Sequence, residues 1–321
     1  MLMNSSKLMF LTFMILSTMM VYSSSNFLMS WMSMEINLIS FLPLITKSKK
    51  MKDQPMKYFI IQSLSSSMML LSMVMKLKIE TPINFEIFMM ISLMMKMGLI
   101  PFHLWILSFM EKMTWNNCLI MNTLQKMSPT LMIVQMISFK MIIIPMIMSL
   151  LIAPIAMIKM NSIKKIIAYS SIYNSPWMIS SLYISKSLFL IFFSIYLILN
   201  FMMMMKLKTQ NIMFVNQITE KNLLTKTNLM INLFSISGMP PMLGFFPKWM
   251  ILNKINEISV SMSMSMLFST LVSTFIYLKM ISLILLNQTT KKKFLKTKNF
   301  NEMEILINMT GLTWFLMFKP N

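Results

Sequence analysis

The chain has 321 residues, of which 56% are hydrophobic and only 12% are charged, and its formal net charge is +20. A soluble domain carries about 25% charged residues, so this composition excludes an ordinary soluble fold. Apolar runs of about 20 residues recur along the sequence and predict membrane-spanning helices. Because these runs are continuous rather than alternating, they argue against a membrane β-barrel.

The positive charge comes entirely from lysine, and the sequence contains no arginine. Nucleic-acid binding is the obvious alternative for so basic a chain. However, most lysines lie in short segments between apolar runs, where the positive-inside rule places them. The single cysteine, Cys118, excludes an intramolecular disulfide and a Cys-ligated iron–sulfur cluster, and the single histidine, His103, argues against a bis-histidine haem. We therefore expect no cofactor on this chain and assign any redox chemistry to partner subunits.

The 48 methionines and four glycines are a second compositional signal. Methionine is permissive both in a core and against lipid, so physical chemistry tolerates this bias without requiring it. The bias is typical of an AT-rich mitochondrial genome that reads an extra codon as methionine. The first apolar run follows no cleavable signal or arginine-rich transit peptide, which fits synthesis inside the organelle.

In chain order, the pattern predicts an all-α, polytopic membrane domain over residues 1–321 with about eleven transmembrane helices. The predicted spans are 8–24, 27–45, 57–75, 85–107, 117–138, 141–158, 163–184, 187–205, 225–248, 259–286 and 304–318. Nineteen lysines fall on the side of the N-terminus and seven on the other, when Lys96, Lys126 and Lys279 inside the spans are left out. This bias puts the N-terminus on the positive side, which in a mitochondrion is the matrix.

Two of the predicted spans share an unusual composition. The fourth contains KMGLIPFHLW (96–105) and the ninth contains GMPPMLGFFPKW (238–249), so each combines glycine, proline, an aromatic residue and a lysine. By the lysine count the two spans cross in opposite directions, and paired interrupted helices of inverted topology are a transporter signature. We therefore predict discontinuous helices and two inverted repeats, about 8–138 and 141–286, followed by a last helix at about 304–318.

Three charged residues lie near the middle of apolar runs: Glu35, Lys96 and Lys126. Each would cost about 2.5–3.5 kcal/mol alone at the centre of a bilayer. Charges of both signs at such depth indicate a proton relay. Burial disfavours the charged form of each side chain, whereas a nearby opposite charge favours it, so the two effects oppose each other. The alternatives are a structural ion pair for Glu35 and, for the lysines, side chains that extend to the membrane surface.

The surroundings of these residues add further hypotheses. Pro101 cannot donate a backbone hydrogen bond and Gly98 loosens the same turn, so freed carbonyls beside Lys96 could hold water. Lys126 precedes Ser128-Pro129, which predicts a polar break in mid-span. Lys248 lies near the end of its span, where position alone does not separate a relay role from an extended side chain. Histidine is a common proton carrier in proteins, which makes His103 a candidate, but a lone histidine beside an aromatic residue is often only hydrogen-bonded structure.

Several segments, in order, resemble a known family, chain 2 of NADH–ubiquinone oxidoreductase, the mitochondrial complex I. The segments are SWMSMEINLISFLPLI (30–45), KYFIIQS (57–63), KMGLIPFHLW (96–105), LQKMSP (124–129), NSIKKIIAYSSIYNSPWM (161–178) and GMPPMLGFFPKW (238–249). Two departures are Leu124, where the family has tryptophan, and Asn174-Ser175-Pro176, where it has a His/Asn-Met/Leu-Gly pattern. The likeness covers most of the chain, and its ordered motifs are far more specific together than singly.

The resemblance implies an antiporter-like, proton-translocating core subunit of complex I in the mitochondrial inner membrane. It carries over Glu35, Lys96, Lys126 and Lys248 as proton-path residues and His103 as a motif residue of less settled role. It also implies that NADH, FMN, iron–sulfur clusters and ubiquinone are bound by partner subunits. The expected neighbours are the antiporter-like chain 4 and the small chain 4L. The alternatives are a stand-alone cation/proton antiporter and a purely structural membrane subunit.

Overall fold

A computed structural model describes residues 5–46, 53–78, 82–217, 223–286, 305–308 and 310–311. These residues form helices joined by short turns. The helices are α1 (Ser5–Ser23), α2 (Phe27–Thr46), α3 (Gln54–Lys78), α4 (Pro82–Met97), α5 (Leu104–Lys112), α6 (Trp115–Asn122), α7 (Leu124–Met136), α8 (Phe139–Met157), α9 (Ile163–Ile184), α10 (Lys186–Gln210), α11 (Leu223–Ser237), α12 (Phe245–Ile258) and α13 (Val260–Leu286). In the described ranges, extended pairing is limited to a single antiparallel bridge between Ser162 and Phe214. The all-α prediction is therefore confirmed for this part of the chain.

Within the described ranges, six helices are long and apolar enough to cross a membrane by length and composition: α1, α2, α3, α8, α10 and α13. Helix α9 has the predicted bounds but carries many polar side chains. Three predicted spans are each divided between two shorter helices, because 85–107 contains α4 and α5, 117–138 contains α6 and α7, and 225–248 contains α11 and the start of α12. Helix α12 continues to Ile258, beyond the predicted end. The predicted span 304–318 lies largely outside the described residues.

Several serine residues that are buried in these apolar helices donate their hydroxyl protons to their own helix. Ser33, Ser40, Ser65 and Ser92, for example, each donate to the carbonyl oxygen three residues earlier, at 2.7–2.9 Å. A side chain that bonds its own helix in this way is compatible with a dry interior. These serines therefore act as small packing residues, which lets helices approach closely where apolar burial gives little driving force in lipid.

The chain divides into two compact units. The first contains Met1–Ser149 and Asn174–Ile179, and the second contains Leu150–Tyr173 and Ser180–Asn321. The division falls within α8, and α9 contributes to both units. In the first unit, α1 packs along α2, α3 packs along α4, and α7 contacts α1, α2 and α4. In the second, α11 packs on α10 and α13, and α12 also contacts both.

An aromatic cluster joins three helices of the first unit. The ring of Tyr58 on α3 stacks on Phe109 of α5 at 5.3 Å between centroids and meets Phe41 of α2 edge-on at 5.4 Å. Trp105 lies 6.0 Å from Tyr58. Such pairs add about 0.5–1.5 kcal/mol beyond their buried area, and here they fix the phenol of Tyr58 beside the polar groups described below.

Candidate functional site

Glu35 and Lys96 form an ion pair between α2 and the last turn of α4. Lys96 Nζ lies 3.7 Å from Glu35 Oε1, and the two side chains are 6% and 24% exposed, respectively. The two opposite charges are therefore in contact. Lys96 is buried rather than extended to a surface, whereas Glu35 is only partly buried, which the sequence did not indicate. The ammonium also lies at the carboxyl end of α4, where the helix dipole favours a cation.

Helix α4 ends beside this pair because Gly98 adopts φ +63°. Gly98 N–H donates to the Met95 carbonyl and Leu99 N–H to the Met94 carbonyl, the bonding pattern of a Schellman cap. The chain then passes through a cis Ile100–Pro101 bond and resumes as α5 at Leu104. The break predicted around Gly98 and Pro101 is confirmed.

Protein side chains donate to two carbonyl groups at this turn. Trp105 Nε1 donates to the Met95 carbonyl at 3.2 Å, and Gln62 Nε2 donates to the Lys96 carbonyl at 3.4 Å. The hypothesis that freed carbonyls beside Lys96 hold water stays a prediction. The turn is held by α3 and by its own aromatic side chain.

His103 makes a local contact within this turn. Its Nδ1 lies 3.2 Å from the Pro101 carbonyl oxygen, so Nδ1 donates there, and the residue occupies the position just before α5. The side chain is half-buried. This geometry gives His103 a local structural contact, and its proposed proton role stays a prediction.

Lys126 lies in the first turn of α7 and is 2% exposed. Its Nζ donates to Ser175 Oγ at 2.9 Å, and Ser175 belongs to the stretch of α9 that packs in the first unit. The helix break falls at Thr123, between α6 and α7, and Pro129 lies inside α7. The prediction of a break at Ser128-Pro129 is therefore wrong by more than one helical turn, because Thr123 leaves helical geometry with ψ −81°.

A chain of side-chain hydrogen bonds crosses the first unit beside Lys96. Tyr58 Oη donates to Gln125 Oε1 at 3.2 Å, Gln125 Nε2 donates to Asn37 Oδ1 at 3.0 Å, and Asn37 Nδ2 donates to Ser128 Oγ at 3.1 Å. Gln125 and Ser128 are three residues apart and so share a face of α7. Sequence reasoning missed these residues, although a polar side chain two residues after Glu35 was a usable signal.

A small polar cavity of about 20 Å³ adjoins this chain. Its polar lining consists of Asn37, Tyr58, Gln62, Lys96, Gln125 and Ser128. Lys126 lies between two of these residues in sequence but projects to Ser175 instead. The structure therefore brings Lys96, and not Lys126, into this cavity.

Lys248 forms a second site, in the other unit. Its Nζ donates to Tyr173 Oη and to the Ser237 carbonyl, both at 3.1 Å, and lies 5.1 Å from the centre of the Tyr173 ring. The residue is 6% exposed, so it is not extended to a surface, contrary to one of the two interpretations left open. Tyr173 is a partner that the sequence did not reveal.

The glycine that ends α11 makes room for this lysine. Gly238 has φ +80°, and its neighbour Met239 donates to the Phe234 carbonyl in the same capping pattern as at Gly98. A Cβ at Gly238 would lie 3.0 Å from Lys248 Nζ and 3.1 Å from Lys248 Cδ. The chain then passes through a cis Pro240–Pro241 bond to α12. The second predicted break is confirmed, and at both breaks a lysine lies at the carboxyl end of a short helix.

Among the residues that the structure describes, no group of three or more His, Cys, Asp or Glu side chains could hold a metal ion. The charged groups of the site are the Glu35–Lys96 pair and two buried lysines that bind hydroxyl groups, Lys126 and Lys248. Two interrupted helices with buried lysines at their breaks define the class of an antiporter-like helical membrane protein.

Comparison with known proteins agrees with this class. A family described as "NADH:quinone oxidoreductase/Mrp antiporter, TM" matches residues 24–276. NADH-ubiquinone oxidoreductase chain 2 of Locusta migratoria is 36% identical over 283 residues, covering 84% of this chain and 82% of that protein. The same chain of Anopheles gambiae is 31% identical over 306 residues, covering 91% and 89%. The chain therefore belongs to the NADH-ubiquinone oxidoreductase chain 2 family.

A solved structure shares the fold. Respiratory complex I from Thermus thermophilus contains a chain that superposes with a TM-score of 0.84 at 15% sequence identity. The match covers 98% of this chain and 79% of the other.

Proposed function

We infer that this chain is a proton-translocating core subunit of respiratory complex I, in which partner subunits oxidise NADH and reduce ubiquinone. The observation that carries the proposal is the Glu35–Lys96 pair, two opposite charges 3.7 Å apart at the break of α4. Family membership supports the identity of the assembly. The capped, interrupted helices and the buried lysines support a role in moving ions rather than in packing alone.

The pair suits proton transfer because each charge changes the protonation energy of the other. Two unit charges about 4 Å apart interact by about 4 kcal/mol at an effective dielectric constant of about 20. The pair favours both charged forms, so a conformational change that separates it drives proton release or uptake. The pair does not need to stabilise the fold, since buried ion pairs often contribute little net stability.

In this proposal Lys126 and Lys248 continue the proton path, each held by a hydroxyl group, Ser175 Oγ and Tyr173 Oη. A hydroxyl group both accepts and donates a hydrogen bond, so it suits a residue that passes protons onward. His103 remains a candidate at the first break. The order in which the lysines exchange protons is not part of the proposal.

The proposed arrangement in the membrane follows from the lysine count and the two breaks. It has about eleven spans, inverted repeats at about 8–138 and 141–286, and a last helix at about 304–318. The N-terminus faces the matrix of a mitochondrion, and the inner membrane is the site of action. The matched capping of α4 and α11 supports a repeat. Chains 4 and 4L are the proposed neighbours, and they and the other partners carry FMN, iron–sulfur clusters and the ubiquinone site.

The decisive experiment replaces Lys96 by methionine, which keeps approximate length and removes the titrating group. In assembled complex, we expect NADH-driven proton pumping to fall at least about tenfold, which corresponds to a barrier about 1.4 kcal/mol higher. Lys112→Met is the matched control, because Lys112 is exposed at the end of α5. Unchanged pumping per electron in Lys96→Met would remove Lys96 from the path and leave it as structure.

A stand-alone cation/proton antiporter shares the fold and is the rival function. Separation on a native gel with an in-gel NADH dehydrogenase stain distinguishes the two. We expect the chain to migrate with a large NADH-oxidising assembly. Migration as a solitary transporter would contradict the complex I assignment.

A further inference from the structure

The Lys96 ammonium group has more donors than the protein supplies acceptors for. It carries three N–H donors, and within the described part of the chain its side-chain partner is Glu35 Oε1 at 3.7 Å, longer than a hydrogen bond. A buried charge without hydrogen bonds is strongly unfavourable. The group nevertheless lines the polar cavity of about 20 Å³ described above.

The size and lining of this cavity fit one water molecule. A cavity needs a volume of about 10–15 Å³ to hold a water molecule, and the water needs two to four polar partners. The cavity volume of about 20 Å³ is therefore sufficient for one water. Its polar lining offers more than enough hydrogen-bonding groups, among them Lys96 and the side-chain oxygens of Tyr58, Gln62 and Ser128.

The hydrogen bonds beside the cavity all run in one direction. Tyr58 donates to Gln125, Gln125 donates to Asn37, and Asn37 donates to Ser128. At one end of this series of hydrogen bonds, the Ser128 hydroxyl proton can be donated to a further acceptor. At the other end, the Tyr58 oxygen can accept from a further donor. Both of these ends line the same cavity.

We propose that one structural water occupies this cavity and closes the chain into a ring, accepting from Ser128 and donating to Tyr58, while its second lone pair accepts from Lys96. The second proton of the water is directed to Gln62 Oε1, because Gln62 Nε2 already donates to the Lys96 carbonyl. The water then has four partners and the ammonium gains one. Asn37 and Gln125 are positioning residues, since their amides fix the direction of the ring.

The direction of these hydrogen bonds matters, because a side-chain amide cannot exchange its donor and acceptor roles by gaining or losing a proton. If Asn37 were turned to accept from Ser128, the serine would present only lone pairs to the cavity. The water would then have to donate to Ser128 instead of accepting from it. The amide pair thus decides which way the water beside Lys96 is oriented. This step rests on the proposed function only where it concerns pumping, because the water site itself does not depend on it.

The test is a cryo-EM map of the assembled complex at a resolution that shows buried waters, for the unaltered chain and for Asn37→Leu. We expect one peak within hydrogen-bonding distance of Lys96 Nζ and Ser128 Oγ in the unaltered chain, and its loss or displacement in Asn37→Leu. The matched control is Asn117→Leu, because Asn117 is also buried but donates to the Leu44 carbonyl away from this cavity. The control should keep the peak.

Turnover gives a second readout. With equal assembly, Asn37→Leu should slow coupled NADH oxidation by about tenfold, less than the roughly 100-fold loss that a 1 Å misplacement can cause. Its solvent deuterium isotope effect should rise, whereas Asn117→Leu should leave that effect unchanged. A cavity without the peak, or a peak and isotope effect unaltered in Asn37→Leu, would overturn the proposal. If instead the water is present and Lys96→Met pumps normally, the proposed function fails and the water site stands.

Discussion

At the scale of single residues, the contacts of a buried lysine distinguish it better than its position within an apolar run of the sequence. Lys96, Lys126 and Lys248 are all less than 10% exposed, yet each has a different partner: a carboxylate, a serine hydroxyl, and a tyrosine with a carbonyl. A lysine in a dry interior is tolerable only with such partners. The partners, and not the lysines alone, therefore distinguish the three sites.

Gly238→Ala tests how the site of Lys248 is built. The added Cβ would crowd Lys248 Nζ and Cδ and would place alanine at φ +80°, a backbone conformation that costs roughly 1–2 kcal/mol for a residue with a side chain. We expect lower thermal stability of the assembled complex and a loss of proton pumping. The measurement combines a melting curve with pumping in reconstituted vesicles.

A double-mutant cycle separates these two effects. In a Lys248→Met background, Gly238→Ala should still lower stability but should no longer change pumping, because the displaced ammonium is already absent. If the pumping loss from Gly238→Ala were the same in both backgrounds, its cause would lie in the backbone and not in Lys248.

At the scale of elements, the two broken helices are the feature that positions the charges. Helices α4 and α11 are each followed by a glycine that forms a C-terminal cap. After six or seven residues a further short helix begins, at Leu104 and Phe245. A helix end exposes carbonyl groups that need partners. At the first break Trp105 and Gln62 supply them, and at the second the Lys248 ammonium does.

Trp105→Phe is a test of the first break that keeps an aromatic ring but removes the indole N–H donated to the Met95 carbonyl. A net loss of about 0.5–1.5 kcal/mol is expected for such a hydrogen bond. Hydrogen exchange of the amides in 95–103 should therefore accelerate by up to about tenfold. The measurement is exchange followed by mass spectrometry on the assembled complex.

Trp31→Phe is the matched control, because Trp31 Nε1 donates to the Ser66 carbonyl between two unbroken helices. It should leave exchange in 95–103 unchanged. Equal acceleration in both variants would mean that the tryptophan contact at Met95 has no special part in holding the break.

At the scale of the whole molecule, the topology in the membrane can be tested at the two ends of helix α9. Helix α9 has 22 residues, which at about 1.5 Å per residue is long enough to cross the hydrocarbon core. Lys159 and Lys186 lie just before and just after it, and both are exposed. From the lysine bias we propose that Lys159 faces the matrix and that Lys186 lies on the opposite side.

A membrane-impermeant amine reagent tests this threading. Applied to mitochondria with a ruptured outer membrane, it should label Lys186 and not Lys159, and permeabilising the inner membrane should expose Lys159. Labelling of both lysines before permeabilisation would contradict the topology. The basic segment 291–298, which we also place in the matrix, lies outside the described residues and would be a second site to follow.

Much of this protein could be predicted from the sequence, since the determinants are local. Length and hydropathy fixed where α1, α2, α3, α8, α10 and α13 lie, because a membrane helix satisfies its own backbone. Glycine and proline at 98, 101, 238 and 241 located both breaks, because their backbone restrictions act on the chain itself. The rarity of charge in apolar runs singled out Glu35, Lys96 and Lys126.

The tertiary structure decided what the local signals could not. The break between α6 and α7 falls at Thr123, which carries no strong sequence signal, while Pro129 is accommodated inside α7. The partners Tyr173 and Ser175 lie 75 and 49 residues from the lysines they bind. The hydrogen-bonded series of Tyr58, Gln125, Asn37 and Ser128 joins three helices. Such pairings depend on how helices pack in three dimensions. A one-dimensional pattern can therefore mark a buried charge but cannot identify the group that makes its burial possible.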